Sequence, residues 1–182
     1  MMTHDTSNVN PPRERMSGTL VPNRLHAVRR AHGVVERFTA GVGHCPASLS
    51  DGVPLTLPAL EDEAACLGVR VTWQELPAGY CGVYDWTRCR IVLHDGLTPV
   101  QARCTLCHEL EHVRHFDRVC GGKGEARARR RTALRLVNPV AYAAAEQVYD
   151  ANTWLMAVEL GVTVQVLEDY RQILHDSGVV WQ

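Results

Sequence analysis

The hydrophobic pattern near the N-terminus predicts one helix between two polar stretches. Apolar residues recur near helical spacing over residues 24–39 and predict an amphipathic helix. They are Leu25, Val28, Val35 and Phe38. Residues 1–20 have few apolar side chains to bury, so we expect a disordered tail there. A Pro-rich connection follows the helix, so the chain divides into a tail (1–20), a helix with its linker (21–57) and a main domain (58–182).

The pattern changes from helical to alternating at the start of the main domain. A short helix is predicted over residues 59–67, with Gly68 closing it in a left-handed conformation. Alternating and apolar runs then predict three strands, at residues 69–73, 80–84 and 88–94. We expect these strands to form a small antiparallel sheet.

The second half of the chain is predicted to be helical. Its best supported helix begins after Thr98, because Thr98 and Gln101 match a capping box and Pro99 occupies the first helical position. Beyond a Gly-rich break at residues 121–124, a helix is predicted from Glu125 to about Val137. Three further helices are predicted over residues 140–150, 153–160 and 164–176. The predicted fold is therefore α+β, with the sheet packed on the helix that follows Thr98.

Composition and charge narrow the possible partners. The chain of 182 residues has 19 basic and 20 acidic residues, so its overall charge does not favour nucleic acid or an anionic membrane. It contains no secretory signal and no run of about 18 apolar residues, and we expect a cytoplasmic protein. Its seven cysteines are therefore expected to be reduced thiols. A basic run, with Arg residues at 127, 129, 130, 131 and 135, is expected to be a solvated helix face.

Candidate chemistry is concentrated in the helix after Thr98, in the segment His108-Glu109-Leu110-Glu111-His112. Residues four apart on a helix project from the same side, so His108 and His112 can share one metal ion. The apolar residues Leu106 and Leu110 point the opposite way, which would leave the histidines facing a cleft. In this motif the intervening carboxylate, Glu109, accepts a proton from the attacking water and passes it to the leaving amine. The predicted centre is a catalytic Zn²⁺ site.

A catalytic zinc needs a third protein ligand, which must come from outside the pentapeptide. Glu125 is the first choice, because it opens the next helix after a Gly-rich turn that lets that helix fold back. Asp117 and His115 are nearer in sequence and compete for the role.

Two other motifs use the same residues. Cys104-Thr105-Leu106-Cys107-His108 matches the pattern for covalent haem attachment, but such attachment belongs to exported proteins and leaves Glu109 and His112 unexplained. A structural zinc site of Cys104, Cys107, His108 and His112 fails on geometry, because four ligands on one straight helix cannot surround an ion. We expect both cysteines to be small buried residues.

The sequence resembles the ImmA/IrrE family of bacterial and phage metallopeptidases over about residues 60–174. The resemblance rests on blocks in the family's order, which are Leu67-Gly68-Val69, Leu76-Pro77-Ala78-Gly79, Gly82-Val83-Tyr84, Ile91-Val92-Leu93, Gln101-Ala102-Arg103, Thr105 to Leu110, Glu125 with Ala128, Ala133, Leu136 and Val137, and Glu159-Leu160-Gly161-Val162. It implies a minimal zincin-like core, zinc ligands His108, His112 and Glu125, and Glu109 as the catalytic residue.

The resemblance also implies a biological role. Family members typically cut a helix-turn-helix repressor and so switch on phage, mobile-element or stress genes, which makes a DNA-binding repressor the expected partner. This chain has Glu111 where the family commonly has Gly, Cys107 where it has Ala, and only 13 residues from His112 to Glu125. The Glu111 difference motivates an alternative, a non-catalytic protein that keeps the fold and binds the repressor without cutting it. Tyr142, Tyr149 and His94 are candidate oxyanion stabilisers, none of which the sequence selects.

Overall fold

A computed structural model of the protein describes residues 55–118 and 122–178. The predicted tail, the amphipathic helix over residues 24–39 and most of the Pro-rich linker lie outside these residues. The described part is an α+β domain of six helices and three strands. In chain order they are α1 (Leu57–Cys66), β1 (Arg70–Gln74), β2 (Gly82–Asp85), β3 (Arg90–His94), α2 (Pro99–Arg114), α3 (Gly122–Leu136), α4 (Pro139–Tyr149), α5 (Thr153–Glu159) and α6 (Val164–Asp176). None of these helices is both long and apolar enough to cross a membrane.

Local sequence signals predicted most helix ends correctly. Thr98 and Gln101 form the predicted capping box at the start of α2, with Pro99 in the first turn. Thr163 caps α6 through a hydrogen bond that Val166 N donates to its hydroxyl. Gly68, just past α1, has a φ of +71°, the left-handed conformation that glycine adopts without strain. Helix α3 differs, because it begins at Gly122 and so contains Glu125 in its first turn.

The sheet differs from the predicted antiparallel arrangement. Its strand order is β1-β3-β2, with β2 antiparallel to β3 and β1 parallel to β3. A short turn over residues 86–89 joins β2 to β3 and imposes the antiparallel pair. The chain between β1 and β2 passes across the end of β3, which places β1 on the far edge. Ile91, Val92 and Leu93 are buried in β3, and this apolar strand takes the central position.

Helix α2 is the central element of the domain. Its residues from Ala102 to Val113, except Arg103, are buried, and α1, α3, β2 and β3 all contact it. Leu106 and Leu110 are fully buried in the main hydrophobic core, as their side of the helix predicted. The opposite side is covered as well, because α3 packs against it. The histidines therefore lie inside the domain and not on an open helix face.

A buried ionic network joins the first three helices. Arg135 of α3 lies between Glu63 of α1 and Glu111 of α2, donating from NH1 to Glu111 Oε1 over 3.0 Å and from NH2 to Glu63 Oε2. Arg114 donates to the second oxygen of Glu63 over 2.9 Å. The Glu111 side chain is 1% exposed, so its charge depends on Arg135. The contact between Arg135 and Glu111 holds α3 directly on α2, and Glu63 links both helices to α1.

The contact between β2 and α2 requires a glycine. A Cβ atom at Gly82 would lie 2.5 Å from Thr105 Cγ2 and 3.4 Å from Glu109 Cγ. Thr105 is buried and its β-branched side chain has little freedom to move away. Gly82 thus lets β2 approach α2 next to Glu109.

We predict that Gly82→Ala destabilises the domain by about 1–3 kcal/mol, because the added methyl overlaps the Thr105 methyl. Urea unfolding measures the change. Thr105→Ser removes the opposing methyl, so the double variant should recover much of the loss and show a non-additive coupling energy. Strictly additive effects would contradict the proposed overlap.

We predict that Arg135→Met destabilises the domain by about 3–5 kcal/mol, because Glu63 and Glu111 lose the cation between them. Arg130→Met is the matched control, since Arg130 is an exposed arginine on the same helix. It should change the free energy of unfolding by no more than about 0.5 kcal/mol. If chemical denaturation gave the same change in the free energy of unfolding for both variants, the buried ionic network would not stabilise the domain.

Candidate metal centre

His108 and His112 lie one turn apart on α2 and approach each other closely. Their Nε2 atoms are 3.0 Å apart and their ring centroids 4.8 Å apart, with the rings edge to face. Both residues are buried, with 3% and 5% of their surface exposed. The helical period accounts for the shared direction, and the packing of α3 accounts for the burial.

Glu125 completes a group of three ligand atoms. It lies in the first turn of α3, and its Oε2 is 3.5 Å from the Nε2 of His108 and 3.5 Å from the Nε2 of His112. The three residues form a mostly buried group that could hold a metal ion. The structure thus brings together the three residues proposed as ligands from the sequence. The short connection from His112 to Glu125 does not prevent this, because α3 starts earlier than predicted.

Asp117 and His115, the competing candidates, have other partners. His112 donates from Nδ1 to Asp117 Oδ2 over 2.9 Å, on the side of the ring away from Glu125. Arg127 donates to the other Asp117 oxygen over 2.6 Å. A carboxylate on the second nitrogen of a ligand histidine fixes the ring and its tautomer, so Asp117 is a positioning residue. The His115 ring nitrogen contacts the backbone oxygen of Glu111.

The sequence did not predict the contact between Asp117 and His112, because it depends on how α2 ends. His115 is the C-cap, and Phe116 follows with a φ of +53°. Asp117 N then donates to His112 O and Phe116 N to Val113 O, the two hydrogen bonds of a Schellman motif. This turn reverses the chain and returns Asp117 to His112. The usual signal for the motif is glycine at the left-handed position, and here that position is Phe116.

Three neighbouring carboxylates raise the pKa of His112. Burial opposes its protonation, but the carboxylates of Glu125, Glu109 and Asp117 raise its pKa to about 9. Burial would also raise the pKa of Asp117, yet the hydrogen bonds from His112 and Arg127 hold that pKa below its usual value. In the metal-free protein a proton therefore neutralises part of this acidic site. A bound cation would replace that proton.

Glu109 lies beside the group without belonging to it. Its side chain is buried, and its Oε1 has no hydrogen-bond partner within residues 55–118 and 122–178. It is close enough to Cys81, at the start of β2, for its charge to add to the effect of burial and raise the pKa of that thiol. A buried carboxylate oxygen without a partner is costly in a purely structural role, so an oxygen or nitrogen of a ligand is the expected partner.

Glu111 points away from the histidines and belongs to the buried network with Arg135 and Glu63. The charge of Glu111, at the position where the ImmA/IrrE family commonly has Gly, is thus neutralised by Arg135 on α3. The side chain does not obstruct the candidate metal group. Arg135 is correspondingly not part of a solvated face. Arg127 and Arg129 also have acidic partners, Asp117 and Asp169, whereas Arg130 and Arg131 are exposed as predicted.

Cys104 and Cys107 are buried free cysteines, as predicted. Burial raises the pKa of Cys107 to about 12, so its thiol stays protonated and is a poor metal ligand. The metal group found among the described residues contains neither cysteine. This argues against the structural zinc site and against haem attachment.

The three candidate oxyanion stabilisers are far from equivalent. Tyr142 donates to Glu146 and accepts from Arg171, and Tyr149 donates to Glu159. His94, in contrast, lines the same cleft as His108, a cavity of about 510 Å³. It is therefore the candidate that a ligand near His108 could reach.

We predict that divalent metal affinity rises about tenfold per pH unit up to about pH 9, because the ion must displace the proton on His112. Competition with a chromophoric chelator measures this, and calorimetry in two buffers should show about one proton released per ion near pH 7.5. The metal-free protein should lose stability as pH rises from 6.5 to 9, since the raised pKa makes the protonated folded form the favoured one. Asp117→Asn should reduce both dependences. A pH-independent affinity would contradict this account of His112.

The chain was compared with protein-family models, with curated proteins and with solved structures, and none of these matches it. The resemblance to ImmA/IrrE peptidases therefore depends on the sequence blocks themselves. The functional conclusion depends on the arrangement of His108, His112, Glu125 and Glu109.

Proposed function

We propose that this protein is a zinc-dependent endopeptidase of the ImmA/IrrE type. The observation that carries the proposal is the convergence of His108, His112 and Glu125 next to the buried carboxylate of Glu109. Two imidazoles and one carboxylate, with a glutamate beside them, are the donor set of a hydrolytic zinc site. The zincin-like core and the family membership are parts of the same proposal.

The spacing of the donor atoms suits zinc. Zinc bonds of about 2.0–2.2 Å in a tetrahedron require ligand atoms about 3.3–3.6 Å apart. The two distances from Glu125 Oε2 to the histidine Nε2 atoms are 3.5 Å each and lie in this range, whereas the two Nε2 atoms are 3.0 Å apart and would have to separate by a few tenths of an ångström around an ion. Three protein ligands leave a fourth position for water or substrate, as in catalytic zinc sites. Nitrogen donors also favour zinc over magnesium or calcium, which prefer oxygen.

Each residue has a defined part in peptide hydrolysis. Zinc, when bound, supplies a Lewis acid that polarises the scissile carbonyl and lowers the pKa of water. Glu109 takes a proton from the attacking water through Oε1, which has no hydrogen-bond partner among the described residues, and transfers it to the leaving amine. Asp117 holds the His112 ring through Nδ1, and α3 brings Glu125 to the two histidines. The buried setting strengthens the electrostatic interactions among these groups.

We propose a helix-turn-helix repressor as the substrate, on the basis of the family resemblance. The alternative, a protein that binds the repressor without cutting it, was motivated by Glu111. That residue is paired with Arg135 and lies away from the metal group, so its presence gives no support to a non-catalytic role. The buried Oε1 of Glu109 favours catalysis instead, because no described part of the chain bonds to it.

We predict that Glu109→Gln keeps one zinc per chain but lowers cleavage of a helix-turn-helix repressor substrate by about 10²–10⁴-fold, the usual contribution of a general base. Glu125→Ala should instead lose zinc, as measured by metal analysis after dialysis. Glu75→Gln, at an exposed glutamate, is the matched control and should cleave normally.

Chelator should abolish cleavage and added zinc should restore it. Cleavage by Glu109→Gln at the normal rate would contradict the assigned role. A stable complex with the repressor that is never cleaved, with or without zinc, would favour the binding alternative. Full zinc content in Glu125→Ala would contradict the ligand assignment.

A further inference from the structure

The cleft beside His108 has walls from several elements. Its volume of about 510 Å³ is enclosed by α2, α3, α6 and the two loops at one end of the sheet, before β2 and after β3. Its less polar parts include Leu97, Val164 and Val166, and its polar parts include Arg129, Thr132, Gln165, Glu168 and Asp169. Because His108 contributes to the wall, a ligand in this cleft lies directly next to the proposed metal site.

The charges that line the cleft leave a negative excess. Arg129 donates from Nε to Asp169 Oδ2 over 3.0 Å and from NH2 to Asp169 Oδ1, so these two charges neutralise each other. Gln165 donates to the same carboxylate over 3.2 Å. Glu168 forms no ion pair with residues 55–118 or 122–178, and it is exposed in the cleft wall. Among the acidic and arginine side chains that line the cleft, Glu168 is therefore the one that no opposite charge in the lining neutralises.

Thr132 places a hydrogen-bonding group in the same wall. The residue is 2% exposed, and its Oγ1 has no hydrogen-bond partner among the described residues. A buried hydroxyl without a partner is destabilising, and a helical threonine ordinarily avoids this by bonding to its own helix. The unfulfilled hydroxyl is therefore a second, independent sign that the cleft receives a polar ligand.

We propose that this cleft is the subsite for a basic side chain, Arg or Lys, next to the scissile bond of the peptide substrate. The alkyl part of such a side chain packs on Leu97, Val164 and Val166, while its charged end reaches the Glu168 carboxylate. Guanidinium and ammonium groups have only donors, and the Thr132 hydroxyl accepts one of them. An acidic side chain would meet the Glu168 charge, and an apolar one would leave the Thr132 hydroxyl unbonded. The proposal rests on the proposed peptidase function, because it assigns the substrate of that site.

Peptides that differ at one position near the scissile bond test the subsite. Arg, Lys, Met and Glu are compared at each flanking position, and kcat/KM is measured for each peptide with the zinc-loaded protein. We expect the Arg and Lys peptides to be cleaved at least about tenfold better than the Met peptide, as a hydrogen bond to a charged group predicts. In Glu168→Gln the ratio of kcat/KM for the Arg peptide to kcat/KM for the Met peptide should fall to about one, because the carboxylate that distinguishes them is gone.

Thr132→Val removes the hydroxyl and keeps the shape of the side chain. It should lower kcat/KM for the Arg peptide about tenfold and leave the free energy of unfolding unchanged or raised, because the hydroxyl has no partner to lose. A structural role predicts the opposite effect on stability. Thr72→Val is the matched control, since Thr72 lies on β1 outside the cleft and donates to Ile91 O. It should leave peptide selectivity intact.

Peptide binding to Glu109→Gln gives a readout that does not depend on turnover. Fluorescence anisotropy should show the same preference for Arg over Met, and Glu168→Gln in that background should remove it. Cleavage without a basic preference, or a preference that survives Glu168→Gln, would overturn the subsite and leave the peptidase function standing. Selective binding without any cleavage would support the subsite and count against the peptidase function. Neither binding nor cleavage of any peptide would overturn both.

Discussion

The structure depends on how one helix keeps its ionisable side chains inside the domain. Between positions 108 and 112, α2 buries two histidines and two glutamates, each no more than 5% exposed. Such groups are tolerated in a protein interior only when neighbouring charges and hydrogen bonds compensate for lost hydration. Arg135 compensates Glu111, and Asp117 and Glu125 compensate His112. All three partners come from outside α2. The segments that contain them must therefore pack where they can neutralise the buried charges of this helix.

Helix α3 has a double task in this arrangement. Its first turn brings Glu125 to the histidines, and its last turn brings Arg135 to Glu111 and Glu63. Glu125 and Arg135 are ten positions apart, nearly three helical turns, so the two contacts hold α3 on α2 at both ends. A mutation of Arg135 can therefore shift α3 and displace Glu125 from the two histidines without contacting them. The pairing with Arg135 accounts for a buried Glu111 on the helix that contributes two residues to the candidate metal group.

Compensation is incomplete at Glu109 and Thr132, where a buried oxygen lacks a partner among the described residues. Both oxygens lie where a ligand is expected, one beside the metal group and the other in the wall of the adjoining cleft. Glu111 Oε2 and Arg127 Nε also lack a hydrogen-bond partner among these residues, so a missing partner points to a ligand only where the atom adjoins the metal group or the cleft, as at Glu109 and Thr132. The candidate site thus combines hydrogen-bonded side chains that fix its geometry with two buried oxygens that are open to a ligand.

The sequence by itself determined the elements whose signals are local. The capping box at Thr98, the left-handed Gly68 and the helical spacing of His108 and His112 depend on neighbouring residues, and each was correctly predicted. Tertiary packing sets the order of the strands and pairs Glu111 with Arg135. The contact of Asp117 with His112 depends on a chain reversal at a non-glycine residue. Hydrophobic periodicity does not predict which charged residues form ion pairs when they are distant in sequence. Only the tertiary structure decided those contacts, and with them the choice of Glu125 over Asp117 and His115 as the candidate third ligand.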